Sequence, residues 1–140
     1  MSGLRSRNRG KRGEREAAAH IAWLWNVRAR RGRQYAGDPS APDVVIQGAP
    51  QLWIEVKLRE SLNVASTFER VAKDCGSEPA SARLTSDPCD DVVYTGFEPV
   101  PLLLHRRNRG EWLLTLRVSD LLLVRELLRD AAKDPKEVRA

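Results

Sequence analysis

Apolar positions recur along this chain with two different periods, and the switches between them outline its elements. From Gly13 to Arg30 the residues Ala17, Ala18, Ile21, Leu24 and Trp25 fall on one stripe at a 3.6-residue repeat, which predicts an amphipathic helix. Val44-Val45-Ile46 is a short apolar strand, Gly48-Ala49-Pro50 a turn and Gln51 to Lys57 a second strand, so the pair reads as a hairpin. A second helix is expected from Asn63 to Cys75, with Val64, Phe68, Val71 and Ala72 on its inner side. Val100 to His105 is an almost continuous apolar run, the pattern of a buried central strand. Arg107-Asn108-Arg109-Gly110 is a turn with backbone freedom at Asn108 and Gly110, and Glu111 to Arg117 is the partner strand. Ser119 is placed to cap a last helix that runs to about Ala132. Its residues Leu121, Leu123, Val124, Leu127, Leu128 and Ala131 cover an arc of roughly 160°, wider than one packing stripe needs, so part of it is expected to face a partner chain.

The remaining segments lack a period. Residues 1–12 are polar and rich in Gly and Arg, and are expected to form a flexible basic arm. Residues 31–42 form a loop. Residues 76–98 hold Pro79, Pro88 and several Ser and Asp, and read as an irregular insertion with one strand at Val92-Val93-Tyr94. Asp87, Asp90 and Asp91 within it read as a solvated turn. Residues 133–140 read as a tail, which leaves a single domain over 13–132.

At 140 residues, 41% hydrophobic and 31% charged, the chain is long enough for one core. No window approaches the ~18 apolar residues of a membrane span, and no apolar run follows the basic start, so a cytoplasmic protein is expected. Cys75 and Cys89 form no CxxC pair and read as buried or free thiols. The formal net charge is +5. Up to Arg33 there are ten basic residues against two acids, and a second cluster is His105-Arg106-Arg107-Asn108-Arg109. Arginine outnumbers lysine, which suits bidentate contacts to phosphate and points to a nucleic-acid partner.

Three pieces of the chain fit one chemical site. Strand residues i and i+2 share a face, so Glu55 and Lys57 point together while Ile54 and Val56 enter the core. In a hairpin of this length the start of the first strand lies beside the end of the second. That places Asp43 near Glu55 and Lys57, although they are 12 and 14 residues apart. On the first helix, steps of 100° put Glu14 within roughly 20° of the centre of the apolar stripe and Glu16 on the opposite side with Trp23 and Val27. Glu14 is therefore a carboxylate aimed at the core from a helix start, where it also complements the helix dipole.

With Pro42-Asp43 and Glu55-Val56-Lys57 so spaced, the order helix, hairpin, helix, hairpin, helix resembles the PD-(D/E)XK nuclease superfamily. Gly10-Lys11-Arg12-Gly13-Glu14-Arg15 is similar to the basic start of archaeal-type Holliday-junction resolvases. The segment from His105 through Trp112 to Leu113 is similar to a phage-borne branch of small resolvase-like endonucleases. The resemblance covers about residues 5–75 and 99–124. It implies a restriction-endonuclease-like α/β core, with a mixed sheet of four to five strands flanked by helices.

The resemblance also implies a Mg²⁺-dependent endonuclease, with Mn²⁺ as a substitute, that hydrolyses phosphodiester bonds of DNA and selects branched DNA such as a four-way junction. Asp43, Glu55 and the carbonyl of Val56 would hold the cation, and Glu14 would bind it directly, through water, or at a second site. Lys57 would stabilise developing charge or orient the attacking water. Arg7, Arg9, Lys11, Arg12 and Arg15 of the arm and Arg106, Arg107 and Arg109 of the hairpin would track phosphates. Ser40 stands where such resolvases carry a serine before the motif aspartate, and Arg70 where many relatives carry a glutamine. A homodimer, no organic cofactor, no membrane and a phage or prophage origin complete the implied picture. Two other readings stay open: a non-catalytic nucleic-acid-binding protein that keeps the fold, and a nuclease of RNA, nicking or restriction type.

Overall fold

The computed structural model describes residues 2–32, 41–77 and 98–133. Along the chain it forms α1 (Ser2–Leu24), β1 (Ala29–Arg31), β2 (Val44–Ile46), β3 (Leu52–Leu58), α2 (Val64–Asp74), β4 (Val100–Arg106), β5 (Leu113–Thr115), a 3-10 turn (Val118–Asp120) and α3 (Leu121–Ala131). The five strands make one sheet in the order β1-β2-β3-β4-β5. All neighbours are antiparallel except β3 and β4, which run parallel over seven paired residues from Leu52↔Val100 to Leu58↔Arg106. A parallel pair needs a crossover, and α2 lies within that connection. The expected α/β fold with a mixed sheet is borne out, with five strands.

Burial follows the periods that the sequence displays. In β3 the even residues Leu52, Ile54 and Val56 are buried and the odd residues Trp53, Glu55 and Lys57 half-buried. In β4 every residue from Val100 to Leu104 is buried, as expected of a central strand. One core cluster joins Ala17, Ala18 and Ile21 of α1 to Ile46, Ile54 and Leu102 of the sheet and Val124 of α3. Truncating one such fully enclosed Ile or Leu to Ala costs about 2–5 kcal/mol. Asn63 caps α2 by accepting the Ser66 N–H at 3.1 Å, as the Asn63 to Cys75 reading requires. Gly48 takes a positive φ in the β2–β3 turn.

Several boundaries differ from expectation. Helix α1 begins at Ser2, so residues that read as a flexible arm are helical, with 3–12 exposed. It stops at Leu24 because Asn26 adopts φ 51°, and the Val27 N–H closes back on the Ala22 carbonyl at 3.3 Å. Asn is one of the few residues that enters this left-handed conformation at low cost, and such a closure ends a helix. Val27 is consequently fully buried and not on an outer helix face. The released residues 29–31 become β1, paired with β2 from Ala29↔Ile46 to Arg31↔Val44.

Strand β5 is only Leu113–Thr115, and the positive φ of its turn falls on Arg109 (61°), not on Asn108 or Gly110. Ser119 lies inside the 3-10 turn, and α3 starts after Asp120. Lys133, which reads as the start of a tail, donates its N–H to the Asn26 carbonyl at 2.8 Å. Cys75 is a free, half-buried thiol. Among the described residues no helix is long and apolar enough to cross a membrane. Ser40, the acids Asp87, Asp90 and Asp91, Cys89 and the strand at Val92 to Tyr94 lie outside the described residues.

Candidate active site

Asp43 immediately precedes β2, and its backbone N–H donates to the Ile54 carbonyl at 2.9 Å. This bond fixes the start of β2 against the middle of β3. The Asp43 side chain is 4% exposed and accepts the Val56 N–H on Oδ2 at 2.8 Å. Backbone groups of alternate strand residues point the same way, so Val56 offers its carbonyl on the Asp43 side as well. Burial and the neighbouring Glu55 carboxylate raise the Asp43 pKa to about 7, with a further push from Glu14, against the Val56 N–H and Lys57.

Glu55 and Lys57 share a face, as the two-residue period requires, and form an ion pair at 3.1 Å with each side chain about a quarter exposed. Glu14 reaches the same place from α1. Its side chain is 14% exposed and faces inward, whereas Leu24, expected on the same buried stripe, is 54% exposed. Glu14 is ion-paired with Arg31 of β1. Together Arg9, Glu14, Asp43, Glu55, Lys57 and Arg59 line one cleft of about 550 Å³.

The donor chemistry of the cleft fits a hard divalent cation. The Asp43 and Glu55 carboxylates and the Val56 carbonyl are oxygen donors, and Mg²⁺ is commonly held by one or two carboxylates while it keeps several waters. Among the described residues no group of three His, Cys, Asp or Glu side chains is arranged to hold a metal ion. The raised Asp43 pKa comes first from burial and then from the neighbouring carboxylates. Three carboxylates crowd a partly dry cleft, and added positive charge would relieve them.

The other sequence-predicted residues are spread more widely. Arg7, Lys11 and Arg15 are exposed along α1, and Arg12 pairs with Glu16 at 3.0 Å. Arg70 is exposed on α2, outside the cleft. Arg107 and Arg109 are exposed in the β4–β5 loop. That loop is tied down by Glu60, which accepts the Asn108 N–H at 2.9 Å. Arg106 differs from its neighbours: it pairs with Glu16 at 2.6 Å and its guanidinium lies 4.7 Å from the centre of the Trp112 ring. This holds the hairpin against α1.

Two residues of the site were not foreseen. Arg59 lines the cleft from just past the end of β3, where its N–H donates to the Arg106 carbonyl at 3.1 Å and the two-residue spacing of Glu55 and Lys57 carries on to it. Arg31 enters through β1, and only recognition of Asn26 as a helix stop could have found it.

Neither a family profile nor a curated protein sequence matches the chain. Among solved structures the chain is similar to a Holliday junction resolvase from the archaeal hyperthermophile Archaeoglobus fulgidus. The two share 21% identity with a TM-score of 0.41, over 77% of this chain and 72% of that one.

Proposed function

We propose that this chain is a divalent-metal-dependent nuclease that hydrolyses phosphodiester bonds of DNA, with branched DNA as its expected substrate. The observation that carries this reading is the meeting of Asp43, Glu55 and Lys57 at the end of β3, in a cleft flanked by Arg9 and Arg59. A protein that only binds nucleic acid gains nothing from carboxylates turned toward phosphate.

Asp43, Glu55 and the Val56 carbonyl would hold Mg²⁺ or Mn²⁺. When bound, such an ion polarises a phosphoryl oxygen and lowers the pKa of a coordinated water. The chain's own groups supply the rest. The Val56 N–H orients the Asp43 carboxylate, and its burial keeps that carboxylate dry. Glu55 holds the Lys57 ammonium over the cleft, where it offsets charge that develops on the phosphate. Arg9 and Arg59 are placed to take the flanking phosphates.

The preference for branched DNA rests on the similarity of the segment from Gly10 to Arg15 to junction resolvases. A homodimer suits paired cuts in a two-fold junction. The apolar groove of about 430 Å³ between Leu114 and Leu116 of the β5 side and Leu121 and Leu128 of α3 supports it.

The test is cleavage of matched labelled substrates (four-way junction, duplex, single strand, flap, RNA) with Mg²⁺, Mn²⁺ or EDTA, wild type beside Asp43→Ala. Symmetric junction cuts that need both metal and Asp43 are expected. Metal-dependent cutting of every substrate alike would remove the branch preference. Intact binding with no cutting would leave a non-catalytic binder.

A further inference from the structure

Arg59 faces two spaces. Besides the cleft it lines a second cavity, of about 480 Å³, together with Leu62, Val64, His105, Arg107 and Leu113. The strand register joins the two. Lys57 lies opposite His105 across β3 and β4, and His105 lies opposite Leu113 across β4 and β5. Opposed residues share a face of the sheet. One row therefore runs from the lysine of the cleft into the second cavity, over roughly 10 Å or two strand spacings. Leu62 and Val64 wall it from the start of α2. The walls are tied together. Glu60 accepts the Asn108 N–H at 2.9 Å, and the Arg59 N–H donates to the Arg106 carbonyl at 3.1 Å, so the segment after β3 and the β4–β5 turn part only if both bonds break.

The hydrolysis proposed above has no use for this cavity, yet its lining is particular in kind. Leu62, Val64 and Leu113 are aliphatic, and Leu113 is left 56% exposed to water. His105 offers a flat ring, oriented by the 3.1 Å contact of its Nε2 with Thr115 Oγ1. Burial lowers the His105 pKa, so the ring is uncharged at neutral pH. Arg59 and Arg107 add guanidinium groups, and both residues are exposed. An uncharged ring between aliphatic walls suits a flat heteroaromatic group, and the arginines suit the phosphates on either side of it. A nucleobase on its own strand carries both.

We propose that this cavity takes one unstacked nucleobase of the strand whose phosphate lies in the cleft, and that it thereby selects branched DNA. The proposal rests on the reading of the cleft as a site for DNA phosphate. A base within continuous duplex reaches the cavity only by leaving its stack and its partner. A base at a branch point has already lost part of both, so it enters at lower cost. Every base has a face to stack, so selection falls on the state of the base and not on its identity.

The test is equilibrium binding of the full chain, in EDTA and without cleavage, to a labelled four-way junction, to the same junction with abasic nucleotides at the branch, and to a matched duplex. Wild type is expected to bind the intact junction about tenfold more tightly than the abasic one. His105→Leu is expected to lose about tenfold on the intact junction and Leu113→Ser at least about threefold, with duplex binding within about twofold of wild type. His105→Phe keeps a ring that can stack, and is expected within about threefold of wild type on the junction. Equal binding of intact and abasic junctions by wild type would overturn the proposal. So would a loss in His105→Leu that is as large on duplex as on junction. The abasic comparison needs wild type alone, and so decides the matter if a variant fails to fold. Base-dependent junction binding by a protein that cuts nothing would keep the cavity's role and remove only the nuclease chemistry. Failure to bind any DNA would remove both.

Discussion

Asp43→Asn should make the metal-free protein more stable, and the gain should depend on pH in a defined way. Asp43 is nearly fully buried, and its pKa rises from 3.8 to about 7 on folding. Between these values the folded state binds more protons than the unfolded state, so stability falls as pH rises across that window and levels off above about 7. At roughly 1.4 kcal/mol per pH unit, a displacement of about three units amounts to about 4 kcal/mol. Solvent screening in the open cleft reduces what the site can return, which sets the expected gain at roughly 2–4 kcal/mol at pH 8. Asn removes the charge yet keeps an oxygen for the Val56 N–H, so the hydrogen bond survives. Urea denaturation in EDTA at pH 4 and pH 8, wild type against variant, measures the difference. The gain should be near zero at pH 4, where both proteins are neutral at this position, and full at pH 8. Saturating Mg²⁺ should narrow it at pH 8, because wild type then has an ion to neutralise the site. A variant no more stable than wild type at pH 8, or equally stabilised at both pH values, would refute the reasoning.

Lys57→Ala should lower turnover at least about 100-fold while metal affinity holds or improves, since it removes a phosphate-facing charge and not a ligand; single-turnover cleavage beside Mn²⁺ titration separates the two. Arg107→Gln with Arg109→Gln should reduce the salt slope of DNA binding by roughly 2, at unchanged melting temperature. Arg106→Gln should instead cost about 1–2 kcal/mol of stability in thermal or urea melts, because it removes one of the two cations on Glu16 and the cation from the Trp112 face. Asn63→Ala should cost about 1 kcal/mol through loss of the α2 cap, seen in the same melts, with the cleft chemistry untouched.

What could be seen in the sequence depended on how local its cause was. The alternation through Leu52, Ile54 and Val56 and the apolar run of β4 act over a few residues, and the strands they predict are present. The approach of Asp43 to Glu55 and Lys57 was legible too, because a short hairpin leaves little choice of register. The end of α1 was not, because it hangs on one residue: the expected helix runs past Asn26 to Arg30, while the backbone turns at Asn26. With that stop missed, β1 was missed, and with β1 the cation opposite Glu14. Glu16 and Arg106 meet across 90 residues, and no local period announces such a pair. Charge counting could therefore place Arg106 among phosphate contacts, when Trp112 and Glu16 hold it within the fold.

Helix α1 carries both the basic start of the chain and Glu14 on one continuous rod of 23 residues. At about 1.5 Å per residue, Arg5 stands roughly 13 Å along the axis from Glu14. A loose arm would meet a polyanion at any spacing and lose entropy on each contact. A rod meets it only where phosphates fall at the intervals of its own turns, with the ordering already in place before contact. If the chain acts on DNA as proposed, the N-terminal basic residues would gauge backbone geometry, and a helix-breaking proline near Gly10 would cost discrimination between nucleic-acid shapes before it cost attraction.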